Sequence, residues 1–381
     1  MTAVQRIFCC LSNRRNGVMS SKAFNQDEFT KGKGRNDGQL SLSGPGIEVF
    51  LHGMEKPPTS LGHCLINVFR KYQDHILQVN AKTGEKFTYK EALDQAFALA
   101  SGLKSRGITA GDSLGLVAHP TDPKINVILL ASIFLGAILK PIDPQDKFFE
   151  SKVNEHCKSG LRNWFCDKEK INDLISNTKE IGQIQIVSLD SENSSSTNEL
   201  IEPFDTLLTQ SGFEEAMKLS SQHIVLILSI EQNSQKIAFK NDALLKYSRR
   251  KSPNADDPGT GFILDYNDWS EGGEAWIIRR IFLFRSGGNC LVAVPPFDPE
   301  ETLLLIQTHR ISWLALKATQ FIKMAQCSSI VAYDLSSLQV LNTPPSGSAL
   351  YSLNEYLDVA RERLPATRVL ITGSTIATAI P

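Results

Sequence analysis

Several common features are missing from this sequence, and each absence excludes a class of protein. No excess of charge exists, because 40 Lys and Arg residues stand against 41 Asp and Glu residues. A nucleic-acid-binding protein would show a basic excess or stripe, so we expect no nucleic-acid partner. The longest apolar run, residues 125–139, is shorter than the roughly 20 residues that span a bilayer. This run predicts a buried helix, and no transmembrane segment is expected.

Paired cysteine motifs are also absent. No two cysteines have the Cys-x-x-Cys spacing that is typical of zinc sites, and their odd number does not indicate a disulfide framework. A reducing intracellular compartment is the simplest interpretation, with the cytoplasm as the expected location. The cysteines are Cys9, Cys10, Cys64, Cys157, Cys166, Cys290 and Cys327.

The first 26 residues lack acidic side chains but contain three arginines and a lysine. This composition is compatible with a mitochondrial transit peptide, and a disordered polar tail explains it equally well. We expect residues 1–45 to form a disordered or targeting tail and residues 46–381 to form the folded domain. The last residues are not a peroxisomal signal.

The remaining chain alternates between strand-like and helix-like segments. Thr88 followed by Glu91 has the spacing of a capping box, which predicts a helix over Tyr89–Ser105 that stops at Gly107. Strand and helix in alternation predict an α/β domain with parallel pairing. Further strands are expected on both sides of the Thr83-Gly84 turn and in SLGLVA, LKPIDP, GNCLVAV, ISWLAL and TRVLIT, and further helices in 125–139, FDPEETLLLIQTH and 353–364.

Residues 227–245 have the layout of a phosphate-binding site without its glycines. An apolar run at 223–230 leads to a polar stretch containing Lys236, then to a second apolar run and a helix-like segment. Many nucleotide enzymes place a Gly-rich loop between such a strand and its lysine. Here no glycine occurs between Gly212 and Gly259.

An ordered series of motifs resembles one known superfamily. It contains the Thr88-Tyr89 helix opening, a Gly-x-x-x-Gly-Asp turn at 107–112, and an apolar helix that ends in Gly-Ala before a proline. The similarity resumes at 297–316 and 333–365 and spans most of residues 60–381. This series resembles the adenylate-forming superfamily of acyl-CoA synthetases, coumarate–CoA ligases and firefly luciferase.

The resemblance implies a fold and an activity. The fold is the large N-terminal α/β domain of these enzymes, with stacked mixed and parallel sheets, helices between and outside them, and subdomains over 60–220 and 221–381. The activity is that of an ATP-dependent acid–CoA ligase, which uses ATP and Mg²⁺ to form an acyl-adenylate from a carboxylic or fatty acid and then uses CoA. The superfamily's smaller C-terminal domain, with its catalytic lysine, is expected to be absent from this chain.

The resemblance also implies nucleotide-binding residues. Ser229 and Lys236 correspond to the family's phosphate loop, and Gly373 and Thr375 to its Tyr-Gly-x-Thr-Glu motif. The internal glycines of the loop, which would let backbone N–H groups turn against phosphate oxygens, are replaced by Ile230 and Asn233. We therefore expect no anion nest in this loop. A solvated loop lysine and a plain turn are the alternative interpretations.

Substrate and metal residues follow from the same comparison. Gly347, Ser348 and Ala349 resemble a family motif that lines the acyl and adenine pocket, although a turn would explain them too. Trp269 and Trp313 are candidates for an acyl pocket, with an ordinary core position as the alternative. The family's Mg²⁺-binding glutamate has no counterpart, since the last acidic residue of the chain lies well upstream in the predicted 353–364 helix. No metal or catalytic residue is assigned.

Three interpretations of function remain open. The first is a catalytically impaired acid–CoA ligase. The second is a pseudoenzyme that binds an acyl ligand or interacts with a protein, such as a related active subunit. The third is a decaying gene copy with no defined role. Fold alone does not decide between them.

Overall fold

The structure is a computed structural model of the 381-residue chain. It describes residues 60–119, 122–178, 184–190, 200–208, 212–229, 236–249, 261–266, 273–287, 290–293, 297–343, 368–371 and 378–380. All of these residues belong to one compact unit. The predicted tail at 1–45 lies outside them.

One sheet of seven strands is almost entirely parallel. Its order is β14-β13-β12-β10-β11-β1-β2, and only the β1–β2 pair is antiparallel. The strands are β1 Ile76–Asn80, β2 Lys86–Thr88, β10 Phe262–Asp265, β11 Cys290–Ala293, β12 Ile311–Ala315, β13 Val340–Thr343 and β14 Arg368–Ile371.

A second sheet of eight strands has an antiparallel edge. Its order is β15-β9-β8-β4-β3-β5-β6-β7, with parallel pairs from β8 to β7 and antiparallel pairs from β8 to β9 and from β9 to β15. The strands are β3 Ser113–Val117, β4 Ile138–Ile142, β5 Asn163–Cys166, β6 Gln185–Ser188, β7 Ile201–Pro203, β8 Ile224–Ser229, β9 Lys236–Lys240 and β15 Thr378–Ile380.

Helices connect the strands, as expected for parallel pairing. Among the described residues they are α1 Leu61–Lys71, α2 Tyr89–Ser105, α3 Lys124–Leu135, α4 Phe149–Lys158, α5 Ile171–Thr178, α6 Phe204–Leu207, α7 Asn241–Arg249, α8 Gly273–Ser286, α9 Pro299–His309 and α10 Ala318–Gln326. Within this part of the chain, no helix combines the length and the apolar character that a membrane crossing requires.

The largest hydrophobic core joins the two sheets through α1, α2 and α3. Leu77 of the first sheet and Leu114 of the second belong to the same cluster of buried side chains. A smaller cluster lies on the other face of the eight-stranded sheet, where Val153 and Cys157 of α4 pack against Ile142 of β4. The eight-stranded sheet therefore has an inner face, which packs against the largest core, and an outer face, which packs against α4.

The predicted helix starts are confirmed where a local cap exists. α2 begins and ends as predicted, and the Thr88–Glu91 capping box is complete. α9 begins after Asp298, whose side chain accepts a hydrogen bond from Glu301 N–H, and it has a proline in its first turn. Such caps satisfy N–H groups that the helix itself cannot pair. Because the capping residues are local in sequence, these helix starts can be predicted from the sequence alone.

The predicted 125–139 helix is wrong at its C-terminal end. The helix stops at Leu135, because Gly136 adopts a left-handed conformation with φ 77° and the chain then turns. Ile138 already belongs to β4, so the strand predicted in LKPIDP begins earlier and Lys140 lies at its centre. The apolar run is thus a buried helix followed directly by a buried strand.

Candidate functional site

The Ser229 and Lys236 pair lies at the open end of the β8–β9 antiparallel pair. These two residues are register partners, as the last residue of β8 and the first residue of β9. The structure therefore brings together the two residues that the resemblance assigns to the phosphate loop. The loop between them, for which we predict no anion nest, lies outside the described residues.

Lys236 already has an acidic partner. Its Nζ lies 2.5 Å from Oε1 of Glu155 in α4, and both side chains are partly exposed. Ile237 and Phe239 belong to the main core, so strand alternation directs Lys236 towards the outer face where α4 packs. Lys236 is thus the first residue of a regular strand, and its partly exposed side chain belongs to an ion pair.

A second lysine approaches from the neighbouring strand. Lys140 stands in the middle of β4 and is only 9% exposed. Burial and the nearby Lys236 ammonium lower its pKa, and Glu155 opposes this effect. In the part of the chain that the structure describes, the Lys140 ammonium has no hydrogen-bond or ion-pair partner.

The imidazole of His156 completes this cluster. The side chain is 1% exposed, and neither of its ring nitrogens has a hydrogen-bond partner. Burial lowers the pKa of His156 to about 4, and the Lys140, Lys236 and Lys152 ammonium groups contribute in the same direction. Lys152 itself forms a buried ion pair with Asp146. His156 is therefore a neutral, unsatisfied imidazole among cations.

Lys140, Glu155 and His156 were missed by sequence reasoning, although two signals were present. Lys140 interrupts an otherwise apolar strand, which is a costly position for a charge. His156 follows Phe149 and Val153 at helical spacing, so it lies on the buried side of α4. The convergence of these residues depends on how α4 packs on β4, and no local pattern encodes that packing.

A buried polar network lies at the carboxyl edge of the seven-stranded sheet. Arg279 of α8 donates two hydrogen bonds to Asp265 at the end of β10, from Nε at 2.9 Å and from Nη2 at 3.2 Å. Its Nη1 lies 3.5 Å from Oδ1 of Asn342 in β13. The next residue, Thr343, has a buried hydroxyl without a partner. Carboxyl edges of parallel strands are common ligand positions, and here charged side chains of the chain itself fill part of that edge.

A third polar cluster lies at the carboxyl ends of β3 and β5. Asp167 accepts a hydrogen bond from His119 N–H at 3.0 Å, and Asp122 accepts one from Lys124 N–H at 2.7 Å. Burial raises the pKa of Asp167 to about 7, and the nearby Asp122 and Asp190 carboxylates raise it further, while the hydrogen bond opposes the shift. The pKa of Asp122 is also raised by burial. The Asp167 carboxyl is therefore protonated in acidic solution.

The other predicted site residues lie outside the described residues. These are Trp269, Gly347, Ser348, Ala349, Gly373 and Thr375. Trp313 is described, and it is a partly buried residue of β12 that packs against the main core. In the described ranges, no group of three or more His, Cys, Asp and Glu side chains is arranged to hold a metal ion.

Comparison with known sequences identifies the family that the chain resembles. Residues 67–228 match the sequence model of a family described as AMP-binding enzyme. A probable 4-coumarate–CoA ligase from Dictyostelium discoideum is 22% identical over 342 residues, which are 83% of this chain. The match spans 59% of that relative's length. A 4-coumarate–CoA ligase from Petroselinum crispum is 30% identical over 129 residues, or 34% of this chain and 23% of the relative.

Solved structures share the fold. The luciferase-like enzyme from the nonluminescent mealworm Zophobas morio matches with a TM-score of 0.69 at 17% identity, covering 84% of this chain and 73% of that one. The inhibitor-bound N-terminal domain of FACL13 from Mycobacterium tuberculosis matches with a TM-score of 0.66 at 16% identity, covering 83% and 75%. The mixed α/β fold is therefore that of the N-terminal domains of adenylate-forming enzymes.

Together these matches confirm the resemblance to the adenylate-forming superfamily. Residues 67–228 carry the sequence pattern of AMP-binding enzymes, and the described residues carry the fold. The chain thus resembles the acid–CoA ligases, as the sequence motifs predict.

Proposed function

We propose that this chain is a catalytically impaired relative of the acid–CoA ligases. Its domain keeps the framework on which such enzymes activate a carboxylic acid with ATP. Its own formation of an acyl-adenylate is strongly reduced. The resemblance to acid–CoA ligases favours a carboxylic or fatty acid as the ligand.

The observation that carries this proposal is the ion pair between Lys236 and Glu155. A phosphate-loop lysine acts as a point charge on the phosphates, and a carboxylate at 2.5 Å neutralises that charge. The sequence of the loop adds support, because it lacks the glycines whose backbone freedom a phosphate cradle uses. Electrostatic stabilisation is usually the largest contribution to such reactions, so its loss should reduce the rate severely.

The cofactors of the family fit the described residues poorly. ATP bound with Mg²⁺ needs hard oxygen ligands for the ion and positive charge for the triphosphate. The described part of the chain offers no group of three or more His, Cys, Asp and Glu side chains that could hold a metal ion, and Lys236 forms an ion pair with Glu155. No step of the proposal depends on Mg²⁺ or on CoA.

Exchange of labelled pyrophosphate into ATP tests the proposal. The 381-residue chain is assayed with 4-coumarate and with fatty acids of several lengths, beside an active 4-coumarate–CoA ligase. We expect exchange at least about a hundredfold below that enzyme, since removal of one charge-stabilising group typically costs this much. A Lys236→Met variant should leave the residual rate unchanged.

The matched control is Lys240→Met on the same strand, because Lys240 donates a hydrogen bond to the uncharged Gln222 side chain. Exchange comparable to the active enzyme, abolished by Lys236→Met and retained by Lys240→Met, would overturn the proposal. Titration with a non-hydrolysable acyl-adenylate analogue then addresses the alternative of an acyl-binding pseudoenzyme. Binding near 1 μM, about −8 kcal/mol, without turnover would favour that alternative.

A further inference from the structure

We propose that copies of this chain associate head to tail through two unlike surfaces. The α9 surface is apolar and acidic and consists of Leu304, Val331 and Glu300. The α4 surface is apolar and basic and consists of Lys147 and Phe148, just before α4. The partner of each surface is therefore a second copy of this chain. This inference goes beyond the proposed function, because it concerns assembly and not acid activation.

Hydrogen bonds place Leu304 beside the segment that follows α10. Glu300 accepts a hydrogen bond from the Tyr333 hydroxyl of that segment at 3.0 Å. Two turns further along α9, Gln307 accepts one from Asp334 N–H at 2.8 Å. Residues three and four apart share one face of a helix, so Leu304 lies between Glu300 and Gln307 on the face that borders this segment.

Two exposed apolar side chains thus occur at one border. Leu304 is 49% exposed, and Val331, in the segment after α10, is 80% exposed. Within the part of the chain that the structure describes, only two other large hydrophobic side chains are exposed. Asp298, Glu300 and Glu301 lie at the start of α9, about one turn before Leu304. Neighbouring exposed apolar side chains with a polar rim indicate a contact surface.

The α4 surface has the complementary character. Phe148 is 43% exposed, and Nζ of Lys147 lies 4.9 Å from the centroid of its ring. A second ammonium, that of Lys170, lies 5.3 Å from the centroid of the neighbouring Phe149 ring. An exposed aromatic ring beside an ammonium group suits an apolar pair beside carboxylates, because aromatic anchors and opposite charges are favoured at protein contacts.

Charge favours contact between unlike surfaces over contact between like ones. Two α9 surfaces facing each other would bring Glu300 carboxylates together, and two α4 surfaces would bring Lys147 ammonium groups together. The unlike contact pairs these opposite charges and buries Phe148 against Leu304 and Val331. Such a contact is heterologous, so it closes into a ring or continues into a chain of copies.

Sedimentation velocity of the 381-residue chain at rising concentration tests this association. We expect the average mass to rise with concentration and to fall at high salt, because salt screens exposed charges. Phe148→Gln and Leu304→Gln should each weaken association at least about tenfold, as for loss of an apolar anchor. Met217→Gln, at an exposed apolar residue outside both surfaces, is the matched control and should change nothing.

A mixture of two defective variants tests the head-to-tail arrangement. A Phe148→Asp chain keeps its α9 surface, and a Leu304→Asp chain keeps its α4 surface. Neither variant should associate alone, and circular dichroism checks that each is folded. Their equimolar mixture should form a complex of two chains and nothing larger, because only one pair of unlike surfaces remains intact.

Four results would overturn the inference. A wild-type chain that stays monomeric at about 100 μM would leave these surfaces to some other partner. A mixture of the two folded variants that stays monomeric would exclude the unlike contact. Association lost in Leu304→Asp but kept in Phe148→Asp would indicate contact between like surfaces. Equal weakening by Met217→Gln would remove the specificity. All four are measured without acid activation, so they are independent of the proposed function.

Discussion

At the scale of single residues, the chain buries an ion pair at the carboxyl edge of the seven-stranded sheet. Asp265 and Arg279 are almost fully buried, with side chains 2% and 6% exposed. A buried ion pair contributes little net stability, because the desolvation of both ions opposes their attraction. Leaving one ion alone is far more costly. The pair therefore constrains which substitutions this edge of the sheet can accept.

Substitution of one partner should destabilise the protein strongly. We expect Arg279→Met to lower the free energy of unfolding by about 3–5 kcal/mol, since it removes both hydrogen bonds from Arg279 to the buried Asp265 carboxylate. The double variant Asp265→Leu/Arg279→Met should recover part of this loss but not all of it, because the buried Arg280 guanidinium also interacts with Asp265. Urea unfolding of both single variants and the double variant measures the coupling.

The exposed pair Arg310–Asp334 provides the matched control. Arg310→Met should cost about 0–1 kcal/mol, as for other surface ion pairs. If the double variant at Asp265 and Arg279 lost as much stability as the two single variants together, the ion pair would not be the cause.

At the scale of elements, carboxylate and amide side chains form hydrogen bonds with backbone groups at segment ends that strand pairing leaves open. Asp167, just after β5, holds the backbone of His119, just after β3. Asn241 accepts a hydrogen bond from Leu61 N–H at the start of α1 and donates one to Ser220. Such contacts satisfy backbone groups that would otherwise be buried without partners.

The stability of the protein should depend on pH through Asp167. Its carboxyl has a pKa of about 7 in the folded state, against 3.8 ordinarily, because burial disfavours the charge. The folded state therefore binds the extra proton between these values, and stability should fall as pH rises from about 4 to 7. Asp122, Asp190 and Glu169 face the same carboxyl and act in the same direction.

Asp167→Asn should reduce this slope, because asparagine keeps an oxygen for His119 N–H and carries no charge. Urea midpoints measured at about pH 5 and about pH 8 should differ less in this variant than in the wild type. The exposed Asp74→Asn serves as the control. An unchanged difference between the two midpoints in Asp167→Asn would contradict the assignment.

At the scale of the whole molecule, the sequence predicted the elements that carry their own local signals. The 89–105 helix has a capping box, and the strands around the Thr83-Gly84 turn have a tight reversal, so both are specified by neighbouring residues. The α/β class followed from their alternation. The end of the apolar helix is hidden in the sequence, because Gly136 lies within a continuous apolar run.

The candidate site was predicted only in part, for a physical reason. Ser229 and Lys236 were found because a family pattern marks them, and the structure pairs them across β8 and β9. Lys140 and His156 come from different elements, and only packing of α4 on the sheet brings them together. Such tertiary contacts leave no periodic signal in the sequence.

A single-turnover experiment tests the central claim most directly. The 381-residue chain, in excess over labelled ATP, is mixed with Mg²⁺ and a carboxylic acid and quenched over time. This measurement detects one round of chemistry even where product release is slow. Impaired acid activation predicts that acyl-adenylate forms at least about a hundredfold more slowly than with an active 4-coumarate–CoA ligase under the same conditions. Formation at a rate comparable to that of the active enzyme, lost on Lys236→Met, would contradict it and identify an active acid-activating enzyme.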